Sequence, residues 1–284
     1  MPDFRADRLA TLYLFNPLRR LQTEGTRIPI LMYHSVSDSD DGSRHPYYRT
    51  VTTPKVFEKQ IRFLHENGYR TVSVREVSTR LQTPANAEKL VGITFDDGYE
   101  DFYTNAYPIL NRYGFSATVF LPTAYISQAS GHFNGARCLT WSQVRELSKD
   151  GVEFGSHTVT HPQLRCVSAA QMRTEVGRSK DDIEENLGER VDTFSYPYAF
   201  PETDAAFVER LHAMLLESEY SSAVTTVIGR AEPSTNHFFV KRLPVNSCDD
   251  EPFFNAKLKG GYDWLRAVQY AAKLGTLGRI RAAR

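Results

Sequence analysis

The chain has 284 residues, 41% hydrophobic and 24% charged, a composition that excludes collagen-like, low-complexity and disordered polymers and allows one large core. Thirty-four basic residues balance thirty-four acidic ones, so no global charge draws the protein to nucleic acid or anionic lipid. Cys138, Cys166 and Cys248 lie far apart with no C-x-x-C pair, which argues against a disulfide framework or a thiolate zinc site and leaves nitrogen and oxygen as metal ligands.

No run approaches the roughly 18 apolar residues of a membrane span. Met1 to Gln22 mixes acids and bases, breaks at Asn16-Pro17 and lacks a small-residue cleavage site, which makes it a poor signal peptide. Leu9, Leu12, Tyr13 and Phe15 suggest a short amphipathic helix. Packing on the domain is the expected use of its apolar face, with peripheral contact at a membrane interface as the alternative.

Ile28 to His34 reads as a buried strand, followed by a polar loop from Ser35 to Tyr48. Thr53 caps a helix with Pro54 in its first turn and Gly68 beyond its end. Leu90 to Phe95 is a short apolar strand ending in acid; a helix near Asp101 to Tyr113 stops at Gly114, and Phe115 to Leu121 is the next strand. A helix from Trp141 to Lys149, a strand from Val152 to Ser156 and a long helix from Ser168 to Leu187, closed by Gly188, repeat the alternation. A strand at Thr193 to Tyr196 and a helix near Asp204 to Leu215 come next. Strands near Ser221 to Thr226 and Phe238 to Leu243, then a helix near Tyr262 to Lys273, complete the series. No repeat occurs at periods of about 20 to 50 residues. The alternation predicts an α/β barrel-like domain with a parallel sheet, whose chemistry collects on loops after strands. We expect a helical extension over residues 1–27, the main domain over 28–250 and a second helical extension over 251–284.

Two clusters fall on such loops. Thr94-Phe95-Asp96-Asp97-Gly98 puts adjacent carboxylates at a strand end, where a turning backbone can bring both to one rim, one to bind a cation and one to act as base. A helix N-cap is the alternative for a lone Asp there. His157-Thr158-Val159-Thr160-His161 follows another strand; two imidazoles four residues apart can meet one ion, and with a carboxylate they form a set of three ligands with positions left open.

These blocks, with Phe194-Ser195-Tyr196-Pro197-Tyr198, resemble in order the motifs of the polysaccharide deacetylase (NodB-homology) family of metal-dependent carbohydrate esterases, over residues 28–245. The resemblance implies a distorted (β/α) barrel with fewer than eight regular strands. It implies Asp96 as base, Asp97, His157 and His161 as ligands of one divalent ion, most simply zinc, and the Tyr198 amide as donor to the oxyanion. Ser195 stands where many members carry a base-orienting arginine, and no histidine follows His237 to match the family's late motif. Ile30-Leu31-Met32-Tyr33-His34 resembles the M-Y-H motif of the circularly permuted branch that includes poly-N-acetylglucosamine deacetylases, which implies His34 as general acid. Lys241 and Arg242 either support the site or sit at a solvated strand end.

The expected function is removal of N-acetyl groups from an N-acetylated glycan. An O-acetyl esterase and a glycan-binding relative without turnover are the alternatives. Tyr47, Tyr48, Phe133 and Trp141 are candidate sugar-stacking rings, with core packing the alternative for each. Lacking an export signal, the chain is placed most simply in the cytoplasm or at its membrane face.

Overall fold

The computed structural model describes residues 5–18, 27–39, 45–82, 89–129 and 131–282. Residues 1–4 and 19–26 of the expected N-terminal extension, 40–44 of the polar loop, 83–88, 130 and 283–284 lie outside the described residues. Eight strands, all in parallel pairings, form the frame: β1 (Ile30–Tyr33), β2 (Tyr69–Thr71), β3 (Lys89–Phe95), β4 (Thr118–Leu121), β5 (Glu153–Ser156), β6 (Thr193–Ser195), β7 (Ser222–Ile228) and β8 (Val240–Pro244). β1 pairs with β8 on one side and with β3 on the other, so seven strands close into a barrel in the order β1-β8-β7-β6-β5-β4-β3. β3 serves two partners along one edge, β2 at Lys89–Val91 and β1 at Gly92–Phe95. This is the α/β barrel of fewer than eight strands that the motifs imply.

Register delivers the chemistry. Tyr33 lies opposite Phe95, so the next residue of each strand, His34 and Asp96, leaves the barrel at the same rim. Phe194 lies opposite Ser156, which sets Ser195 beside His157. Gly155 is where a side chain cannot be accommodated: a Cβ there would sit 2.6 Å from the Phe120 ring. That ring floors the barrel interior, with the Arg242 guanidinium 5.9 Å above its centroid.

The helices begin where their caps dictate. Thr53 Oγ1 accepts from the Val56 amide at the start of Pro54–Glu66, which buries Phe57, Ile61 and Leu64. Thr140 and Gln143 close a full capping box on Trp141–Lys149. Ser168 caps Ala169–Leu187, which ends on Gly188 at φ 72°. The single helix expected near Asp101 to Tyr113 is instead a π-type turn, Phe102–Ala106, followed by an α-helix, Tyr107–Arg112. Pro108 explains the break, because it lacks the N–H that an α-helix would use there. β2 and a helix at Val74–Gln82 add to the expected series, and residues 251–284 hold helices at Glu251–Leu258 and Leu265–Ala282.

The N-terminal helical segment, residues 6–18, packs on the body. Trp264 donates to Thr11 Oγ1 at 3.0 Å and stacks on Phe15 at 4.6 Å, while Leu9, Tyr13, Leu14 and Leu18 are exposed. Among the described residues no helix is long and apolar enough to cross a membrane. A buried charge network anchors this segment. Lys257 Nζ donates to Asp249 Oδ2 at 2.7 Å, and Arg5 reaches Asp249 Oδ1 at 3.3 Å. The Asn246 amide also donates to Asp249, and the Asn246 side chain donates to the carbonyls of Pro46 and Arg49 on the rim loop. Replacing Asp249 by alanine leaves the buried Lys257 without its carboxylate, while Arg5 keeps its pair with Asp7, so equilibrium unfolding should show a loss of about 3–5 kcal/mol; a loss below about 1 kcal/mol would show that the network is not what holds the segment.

Candidate active site

Asp96 is fully enclosed and ion-paired to a residue 146 positions away. Arg242, on β8, donates from Nη1 to Asp96 Oδ1 at 2.8 Å and from Nη2 to Oδ2 at 2.7 Å. Its other three N–H groups go to Thr225 O (3.0 Å), Thr94 Oγ1 (3.1 Å) and Ser195 Oγ (3.0 Å), so all five donors of the guanidinium are satisfied. Ser195 in turn donates to Asp96 Oδ1 at 3.2 Å. Burial alone would push the Asp96 carboxyl up; the Arg242 charge and its hydrogen bonds, aided by His157, outweigh that and hold it well below the usual carboxylate range.

Arg242 therefore supports the site and is not a solvated strand end: its side chain is 0% exposed, whereas Lys241 points outward and pairs with Glu232. Ser195 does not leave Asp96 unoriented either. A short hydroxyl at that point leaves room for a guanidinium arriving from the neighbouring side of the barrel. In the sequence Lys241 and Arg242 are simply adjacent bases; β8 buries Val240 and Arg242 and leaves Lys241 partly exposed, which singles out the inward arginine.

Asp97 turns away from Asp96 in a left-handed conformation, φ 71°, with Gly98 following at φ 58°. Its Oδ1 lies 3.6 Å from His157 Nε2 and 3.4 Å from His161 Nε2. Asp97, His157 and His161 are the one group of three or more His, Cys, Asp or Glu among the described residues arranged to hold a metal ion. The donor set fits a divalent cation on the structure's own terms. Asp97 Oδ1 is buried without a hydrogen-bond partner. Burial, then the neighbouring His157, pushes His161 down to about 3, so that imidazole is neutral and cannot serve as counter-charge. Burial also raises the Asp97 carboxyl. Separations of 3.4 to 3.6 Å match the roughly 3.4 Å between ligand atoms held about 2.1 Å from one tetrahedral zinc. His157 Nδ1 sits 2.8 Å from the Ser195 carbonyl, a contact that fixes the tautomer with Nε2 free to ligate.

His34 is half-buried at the end of β1, within electrostatic reach of Asp96, Asp97 and His161. Tyr198 has left-handed backbone, φ 59°, and its ring lies 4.6 Å from that of His161; Thr226 Oγ1 donates to its carbonyl at 3.0 Å. Of the six non-glycine residues with positive φ among the described residues, Asp97, Thr158, His161 and Tyr198 are in this site. Strain of this kind costs about 1–3 kcal/mol per residue and persists where surrounding contacts over-determine it. Of the candidate stacking rings, Tyr48 is 70% exposed and Tyr47 half-buried with its hydroxyl on Gln269, while Phe133 and Trp141 are core residues. Phe133 instead packs against the His161 ring at 5.0 Å.

The chain is similar to known proteins. The family model described as polysaccharide deacetylase matches residues 83–214. YxkH of Bacillus subtilis (strain 168), itself named for the polysaccharide deacetylases, is 34% identical over 221 residues, 78% of this chain and 72% of that protein. The poly-β-1,6-N-acetyl-D-glucosamine N-deacetylase of Staphylococcus aureus (strain MRSA252) is 22% identical over 248 residues, 81% of this chain and 83% of that one. The structure of Streptococcus pyogenes deacetylase PplD in complex with acetate superimposes with a TM-score of 0.70 at 27% identity, covering 83% of this chain and 99% of the other. Barrel, motif order and similarity agree, and the chain belongs to the polysaccharide deacetylase family.

Proposed function

We propose that this protein is a metal-dependent hydrolase that removes N-acetyl groups from an N-acetylated glycan. The observation that carries the proposal is the adjacency of an ionised, arginine-clamped carboxylate, Asp96, to the cation-binding cluster Asp97–His157–His161. Asp97, His157 and His161 would hold the ion, which when bound acidifies a water and polarises a carbonyl. Asp96 takes the proton from the attacking water; held ionised, it is ready at neutral pH. The Tyr198 N–H, for which no acceptor is found among the described residues, is the donor to the carbonyl oxygen as negative charge develops there. His34 hands a proton to the leaving nitrogen as the C–N bond breaks, giving acetate and a free amine. An amide rather than an ester is favoured because an amine leaves only when protonated, and an imidazole on the rim suits that task. Similarity to the staphylococcal N-deacetylase supports a glucosamine-type polymer as substrate.

Acetate release from a β-1,6-linked N-acetylglucosamine oligomer, measured beside an O-acetylated oligosaccharide, tests this reading. Faster release from the N-acetylated substrate is expected. Faster release from the O-acetylated one would make the protein an esterase, and release from neither would leave a glycan-binding role. A His34→Ala protein should lose about 10²-fold or more on the amide while retaining most of its rate on an activated aryl ester, whose leaving group needs no proton. Equal losses on both would remove the general-acid assignment.

A further inference from the structure

We propose that Glu175, on the helix Ala169–Leu187, is a positioning residue that sets the affinity of the cation cluster by holding the turn between His157 and His161. The inference rests on reading that cluster as a metal site. Between the two histidines the chain passes through Thr158 at φ 69° and reaches His161 at φ 54°. A β-branched residue in left-handed conformation is a genuine outlier and will relax unless it is held.

Glu175 does the holding on the amide side. Its Oε2 accepts from the Val159 N–H at 2.9 Å and from the Thr160 N–H at 2.8 Å, while Oε1 accepts from Thr160 Oγ1 at 2.6 Å. The carbonyl side is tied independently: Thr123 N donates to Thr158 O at 3.1 Å and Ala124 N to Val159 O at 2.9 Å. Thr158 Oγ1 accepts from the His161 amide at 3.0 Å.

Glu175 is 5% exposed, and among the described residues no lysine, arginine or histidine forms an ion pair with it. Its acceptor capacity goes to this turn. Successive N–H groups converging on one anion make a nest, here filled from within by a side chain. Because Ser168 caps the helix and fixes its start, the carboxylate arrives at a set position, and the spacing of the two imidazoles is set with it. A buried carboxylate is a costly way to brace a loop unless the geometry of the turn matters, and here the turn carries two of the three ligands.

The test is the Zn²⁺ dissociation constant, measured by competition with a chromophoric chelator, for wild type, Glu175→Gln, Glu175→Ala and Thr160→Val, beside the thermal midpoints of the metal-free proteins. Glu175→Ala should weaken Zn²⁺ binding about 10- to 100-fold, as loss of outer contacts to ligands does. Glu175→Gln should restore most of it, because its carbonyl oxygen still accepts the two amides. Thr160→Val, which deletes one hydroxyl, should weaken binding by a smaller factor and carries the test if Glu175→Ala does not fold. Zn²⁺ affinities within twofold of wild type, with only the metal-free midpoints lowered, would reduce Glu175 to an ordinary core contact and overturn the proposal. No Zn²⁺ binding by the wild type would instead overturn the reading of the cluster itself.

Discussion

Replacing Arg242 by methionine is expected to lower turnover by about 10²-fold or more and to destabilise the fold by about 3–5 kcal/mol, because Asp96 is left buried with its charge unpaired. The two effects share a cause but are separable by pH. In the wild type Asp96 is held below the ordinary carboxylate value of about 3.9, so its contribution to stability is fully present above that value and is lost as pH falls below it towards the folded value. It should impose no acidic limb on the rate until well below that range. Without the guanidinium, burial dominates and raises Asp96, so the acidic limb of the pH–rate profile should move up towards neutrality. The sign of the stability term reverses with it: the variant should be relatively more stable as pH falls. Arg242→Lys keeps the charge but not the fork, and should fold better than the methionine variant while recovering only part of the rate. A pH–rate profile with an unshifted acidic limb in both variants would show that Arg242 does not govern the basicity of Asp96.

An Asp96→Asn protein should lose about 10²- to 10⁴-fold in acetate release while binding Zn²⁺ as tightly as wild type, since Asp97, His157 and His161 are the ligand group and Asp96 is outside it. Zn²⁺ affinity here doubles as the check on folding, because the proposed ligands come from the loops after β3 and β5 and meet only in the closed barrel. Normal acetate release by Asp96→Asn would remove it as the base. Loss of metal along with rate would mean that the adjacent acids have exchanged roles.

Much of this architecture is legible in the residues themselves, and the exceptions have physical reasons. Where a cap, a periodic apolar face and a stop signal coincide, as with Thr140 before Trp141–Lys149 or Ser168 and Gly188 around Ala169–Leu187, local energetics and tertiary packing favour the same boundaries. The helix Val74–Gln82 carried such a signal: Ser73 and Glu76 exchange the two hydrogen bonds of a capping box. Glu251–Leu258 likewise has Asp250 accepting from the Phe253 amide with Pro252 in its first turn. β2 offered less, being a three-residue strand with no buried position that pairs with β3. Pro108 interrupts a face that periodicity alone extends without a break. The candidate site residues stand out in the sequence because buried strands that end in Asp-Asp or His are unusual. Arg242 was ambiguous because its partner is 146 positions away, and that distance is bridged by barrel closure rather than by any local pattern. Glu175 was silent for a related reason: on a long polar-faced helix it differs in no way from its neighbours until the turn it braces is in place.

On the proposed reading one divalent ion, held by Asp97, His157 and His161, is required for the hydrolysis that Asp96 promotes. Its most direct test is acetate release by the metal-free protein as Zn²⁺ is added in known equivalents. A rate near background without metal, a linear rise to one equivalent per chain and a plateau beyond it are expected, with no rise in a His157→Ala protein. Full acetate release by rigorously metal-free wild type would contradict it.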